Sequence, residues 1–79
     1  MARYGDGFQM TLSWVPAKDG HVPKHAIEAG PGVYVCRADH DGEKVPGKLH
    51  FGHPCAYFPY GGQEVSRDEY EVLVWMKEN

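Results

Sequence analysis

Glycine and proline punctuate this chain so densely that they decide what it can become. Ten Gly and six Pro stand among 79 residues. Proline removes a backbone donor and glycine weakens a helix interior, so the pattern argues against a helical bundle and for short strands with tight corners. Between the breakers the residues agree. Phe8, Met10, Leu12 and Trp14 alternate with Gln9, Thr11 and Ser13, the period-two signature of a strand with one apolar face and one wet side. Val33–Ala38 is β-branched and aromatic, and Lys48–Phe51 and Cys55–Phe58 read as two further short strands.

The C-terminal stretch offers a choice. Ser66-Arg67-Asp68-Glu69 has the form of a helix capping box, but Tyr70, Val72, Leu73, Val74 and Trp75 favour a strand over 69–76. That strand is apolar on both faces, which places it inside a sheet or under a partner chain. The expected fold class is therefore all-β: a small antiparallel sheet or sandwich of about five strands, completed by dimerisation. Residues 1–7 read as a loose arm and 8–79 as a single β domain. Asp19-Gly20, Asp41-Gly42, Pro46-Gly47 and Gly61-Gly62 are the expected corners.

Composition excludes several classes of function. The hydrophobic share of 42% is too high for a disordered tail. No apolar run nears the roughly 20 residues of a membrane span, and no signal peptide is visible, so the expected location is cytoplasmic, or outside the cell by an unconventional route. A net charge of −3 disfavours nucleic acid as a partner.

No reading of the reactive side chains reaches an enzyme or a cofactor. His21, His25, His40, His50 and His53, with Cys36 and Cys55, invite a metal, yet Pro23 spoils the His21/His25 spacing and His50-x-x-His53-x-Cys55 matches no standard zinc signature. No nucleophile elbow or phosphate-cradling loop is present. Asp39, Asp41 and Glu43 are clustered in one hairpin loop and read as a solvated turn. Cys36 and Cys55 can either pair, closing a loop of about 20 residues for roughly 3 kcal/mol, or remain thiols in a reducing compartment; the second is favoured. What stands out is Lys48 directly after Pro46-Gly47, with Tyr57, Tyr60, Gln63 and Glu64 near the next corner. A lysine, carboxylates and an aromatic wall suit a small polyhydroxylated ligand, which offers paired hydroxyls for charge-assisted hydrogen bonds and C–H faces for packing on rings.

A family resemblance covers the same residues. Trp14-Val15-Pro16-Ala17, Gly20-x-Val22-Pro23, Ala26-Ile27, Val33-Tyr34-Val35-x-Arg37-Ala38, Gly42, Pro46-Gly47-Lys48, Tyr57, Pro59-Tyr60-Gly61-Gly62-x-Glu64 and Tyr70-Glu71-Val72-Leu73 resemble the DM-nine repeat, from about Phe8 to Trp75. The resemblance implies a small β protein, often built of two tandem repeats, with mannose-recognising lectins of innate immunity among its members. The same module stands at the front of natterin-like, pore-forming fish proteins, and Cys36, Cys55 and Tyr57-x-Pro59-Tyr60 look more like that branch. It further implies a sugar contact through the lysine of the Pro-Gly-Lys segment, Lys48 beside Gly47; Tyr57 is the aromatic expected to pack on a C–H face of the sugar. The family's acidic ligand follows an Ala-Gly pair, but here Ala29-Gly30 runs through Pro31-Gly32 straight into Val33, leaving Glu28, Asp39 and Glu43 as substitutes. One repeat in place of two implies a homodimer. The expected function is a lectin for mannose or mannose-containing glycans on microbes, without catalysis; a non-catalytic interaction or scaffold module is the alternative.

Overall fold

The computed structural model describes residues 9–78, so the expected arm over 1–7 lies outside the described residues. Seven strands follow in order: β1 (Gln9–Lys18), β2 (Glu28–Gly30), β3 (Val33–His40), β4 (Glu43–His50), β5 (Ala56–Tyr60), β6 (Gln63–Arg67) and β7 (Glu69–Glu78). All belong to one antiparallel sheet ordered β1-β7-β3-β4-β5-β6, with β2 paired to β3 beside this path. The all-β expectation holds, in a single sheet with two strands more than the five expected. β2 is only three residues long, and β6, Gln-Glu-Val-Ser-Arg, carries one apolar residue. Neither has enough pattern to announce itself.

Prolines sit inside three of these strands, at Pro16, Pro46 and Pro59. Each occupies a place where the ladder is one-sided, and there a missing N–H costs nothing. β1 is the outermost strand. β4 and β5 pair with each other only at Lys48–Tyr57 and Leu49–Ala56, so Pro46 keeps just its β3 partner Arg37 and Pro59 just its β6 partner Glu64. Pro46-Gly47 is therefore strand and not the corner expected from sequence. Gly47 faces Cys36 across the ladder, and a Cβ placed on it would overlap the Phe58 ring and the Tyr57 carbonyl oxygen. The glycine is required by a close approach of β5, not by a turn.

The true corners are tight. His40 pairs with Glu43 around Asp41-Gly42 (φ 51° and 81°), and Tyr60 with Gln63 around Gly61-Gly62 (φ 59° and 79°). Both are two-residue hairpins with two consecutive left-handed residues, the geometry that matches strand twist.

The core lies on one side of the sheet: Cys36, Ala38, Val45, Leu49, Ala56, Phe58, Tyr70, Val72 and Val74 are buried. β7 lies inside the sheet, between β1 and β3, in keeping with a strand apolar on both faces. β3 and β7 pair only at Cys36–Val72 and Arg37–Glu71. Beyond that point the 25–27 segment enters between them, with Trp75 N donating to His25 O (3.0 Å), Ile27 N to Leu73 O (3.0 Å) and Val35 N to Ile27 O (3.1 Å). The buried Tyr70 hydroxyl donates to His21 O at 3.1 Å and anchors the connection that leads there.

β1 presents its apolar alternation the other way from the simplest expectation. Val15 and Ala17 pack on the core, whereas Leu12 is 53% exposed and pairs with Trp75, itself 45% exposed. The core side of this strand thus carries its small and β-branched residues. Trp14 is partly covered by the Arg37 guanidinium, 4.2 Å from the ring centroid.

Candidate functional site

β4, β5 and β6 build an open groove on the side of the sheet away from the core, lined by Lys48, His50, Tyr57, Pro59, Gly62, Gln63 and Glu64. Strand alternation explains the selection. Leu49, Ala56 and Phe58 point into the core, so Lys48, His50, Tyr57 and Pro59 point out. Register does the rest: Lys48 is opposite Tyr57, Tyr57 opposite Ser66, and Pro59 opposite Glu64. The Gly61-Gly62 hairpin folds β6 back so that Glu64 lies along the same face as Lys48. A cation, a carboxylate and an aromatic ring therefore border one depression.

One wall of the groove is aromatic. His53 Nδ1 and the Tyr57 hydroxyl share a hydrogen bond at 3.1 Å, and the two rings meet edge-on at 5.6 Å between centroids. His50 stands 5.2 Å from His53 and 6.1 Å from Tyr57 on the same measure. The neighbouring Cys55 side chain first, then burial and the charge of Glu64, push the Tyr57 phenol above its usual 10.0. The phenol keeps its proton at neutral pH and remains a donor.

Lys48, Gly47 and Tyr57, expected together, are adjacent on β4 and β5. The three candidate carboxylates are not brought to them. Glu28 pairs with Tyr34 on the opposite flank of β3 from β4, and its Oε2 accepts the Gly32 N–H at 3.1 Å. Asp39 and Glu43 stand at the far end of the β3–β4 hairpin, where Asp39 is ion-paired to Lys44 at 3.3 Å. Lys44 precedes Lys48 by four residues of strand, about 13 Å. Glu64 takes the position that the other three were expected to fill. Its signal was the Gly-Gly pair just before it, which returns the chain onto the Tyr57 strand. Tyr60, from the same corner, turns to the other face and meets His40 at 4.2 Å between ring centroids.

The histidines do not assemble. Among the described residues no three His, Cys, Asp or Glu side chains converge as metal ligands. Cys36 and Cys55 are both free, and burial pushes the Cys36 thiol up to about 12. The groove's chemistry is thus that of hydrogen bonding: three ammonium donors, a carboxylate acceptor, a phenol and an amide around a shallow floor.

Comparisons with known proteins cover the same stretch. The family model described as DM9 repeat matches residues 8–67 and again residues 30–79. Natterin-3 of Thalassophryne nattereri is 37% identical over 68 residues, 86% of this chain and 17% of that protein. Natterin-4 of the same organism is 35% identical over 68 residues, covering 86% of this chain and 16% of its own length. The chain spans about a sixth of the length of these relatives.

Proposed function

Because this chain belongs to the DM9 repeat family, we propose that it binds carbohydrate without catalysis, with mannose or mannose-type glycans on microbial surfaces as the ligand. The observation that carries the reading is the convergence of Lys48, Tyr57 and Glu64 on one open groove. Sugar hydroxyls are at once donors and acceptors. Lys48 donates to them, Glu64 and the Gln63 carbonyl accept from them, and the Tyr57 ring offers a face for C–H packing. An open groove of this kind admits the end of a glycan chain.

A dimer of this chain is part of the proposal, in a role in innate recognition of microbes. The described chain extends 44 × 26 × 20 Å with a radius of gyration of 14.0 Å, above the roughly 12 Å of a compact chain of this length. Its outermost strand β1 carries Leu12, half exposed beside Trp75. A C2 partner on that flank covers this apolar pair and leaves the grooves, at the other end of the strand order, free. Two grooves per particle raise avidity for a glycan-coated surface without new contacts.

The test is calorimetric titration with mannose. A monosaccharide held at millimolar affinity has about 4 kcal/mol of binding in all. Loss of a charged hydrogen-bond donor costs about 1.5–3 kcal/mol, so Lys48→Ala brings binding below detection. Unchanged binding by that variant places the site elsewhere, and a flat response of the unmodified protein to every monosaccharide favours an interaction module with no sugar site.

A further inference from the structure

A second depression adjoins the groove. It is lined by Asp19, His21, Val22, Phe51, His53 and Pro54, among others. The two share one wall. Tyr57 borders the first, His53 borders the second, and the 3.1 Å hydrogen bond between them is the ridge that separates the two hollows. The end of β4 and the loop after it flank both hollows, His50 lining one and Phe51 the other.

The second hollow has the parts of a saccharide subsite. Phe51 is 73% exposed, a large apolar ring presented to water from a folded loop. Nothing in the packing of the described core explains it, since the core lies on Leu49 and Ala56. Asp19 supplies a carboxylate and His21 an imidazole facing the same space. The surrounding backbone is fixed from both sides. Phe51 N donates to Gly32 O at 2.8 Å, His53 N donates to His50 O at 3.1 Å, and Asp19 N donates to Asp68 O at 2.8 Å. Gly20 packs so closely on the His53 carbonyl that no Cβ fits between them. A ring displayed on a pre-ordered loop loses little freedom on binding, which is the condition for a useful contact.

We propose that the sugar site is bipartite: the Lys48–Glu64 groove takes one pyranose and the Phe51–Asp19 hollow takes the next residue of the glycan, which crosses the Tyr57–His53 ridge. This rests on the carbohydrate reading above and adds to it the ligand class, an oligosaccharide in place of a single sugar. The second residue lays a C–H face on Phe51 and gives hydroxyl hydrogen bonds to Asp19.

The experiment compares mannose with mannobiose and mannotriose on the unmodified protein, on Phe51→Ala and on Asp19→Asn. Asparagine tolerates the left-handed backbone that Asp19 adopts (φ 56°), so this second variant keeps the fold. The oligosaccharides are expected to bind about tenfold more tightly than mannose, the scale of one good ring contact. Both variants are expected to lose that gain while keeping the affinity for mannose. Equal affinity for mannose and its oligomers, or a parallel loss of both ligands in Phe51→Ala, overturns the bipartite site and leaves the first groove standing. Absence of binding by mannose and oligomers alike removes the carbohydrate reading itself, and the second subsite with it.

Discussion

Arg37 Nε donates to the Glu71 carboxylate at 2.7 Å, joining β3 to β7 at one of the two rungs where these strands pair. The same guanidinium lies over Trp14 of β1, and Lys44 of β4 reaches the same Glu71 oxygen at 3.3 Å. Three strands thus meet at one carboxylate, and the fourth, β1, joins through the guanidinium. Its hydrogen bond to Arg37, followed by the Lys44 contacts, holds the Glu71 carboxyl below the usual 4.5.

A depressed native value fixes the sign of the pH dependence. The stability held by Glu71 is fully present above pH 4.5 and is lost as pH falls through the lower, native value. Glu71→Gln is therefore expected to be less stable than the parent at pH 7, by up to about 1 kcal/mol for a half-exposed pair. The gap closes as pH falls through the lowered native value, where the parent's carboxyl is protonated too. Urea midpoints across that range check it, and a gap that stays constant with pH contradicts the assignment.

Gly47→Ala tests the close approach of β5. The added methyl meets the Phe58 ring and a backbone oxygen, neither of which can move aside freely. Overpacking of this kind costs about 1–3 kcal/mol and lowers Tm by at least about 4 °C in a domain of this size. Gly42→Ala is the control for the left-handed turn alone, since nothing lies within 4 Å of its Cβ position. A thermal melt of Gly47→Ala that matches the parent sinks the packing account.

The two thiols are expected to separate by reactivity. Cys36 is fully buried with its thiol raised to about 12, whereas Cys55 is partly exposed just before β5. Iodoacetamide at pH 8 should add one label to the native protein, at Cys55, and a second only after denaturation. Peptide mass spectrometry reads the sites. Rapid native labelling of Cys36 counts against its burial, and no labelling of either counts against free thiols.

The proposed dimer makes a concentration-dependent prediction. Sedimentation at micromolar concentration is expected to show a species of twice the 8.9 kDa chain mass, and Leu12→Lys with Trp75→Lys is expected to shift it to monomer. A stable monomer of the unmodified chain under those conditions defeats the dimer.

Much of this architecture was legible in the residues, and the failures have a common cause. Alternation announced β1, β-branching announced β3, and a doubly apolar run announced β7 as an interior strand. Pro46-Gly47 misled because a proline in a strand is normally a boundary, and only the one-sided pairing of β4 made it harmless. Which face of β1 met the core was equally hidden, since Leu12 and Trp14 outweigh Val15 and Ala17 in the sequence but not in the packing. For the site, Lys48 and Tyr57 were readable from their own segments. Glu64 does not stand out from Glu28, Asp39 or Glu43 in the sequence, because register across two hairpins, and not distance along the chain, decides which carboxylate faces Lys48.

The central claim is that a sugar binds between Lys48, Tyr57 and Glu64. Its most direct test is a titration of 15N-labelled protein with mannose, followed through every backbone amide. The account predicts saturable shifts concentrated at residues 48, 50, 57, 63 and 64, and their loss in Glu64→Gln. Shifts concentrated instead at Asp39, Glu43 and Lys44, or no shift at all at saturating sugar, would contradict it.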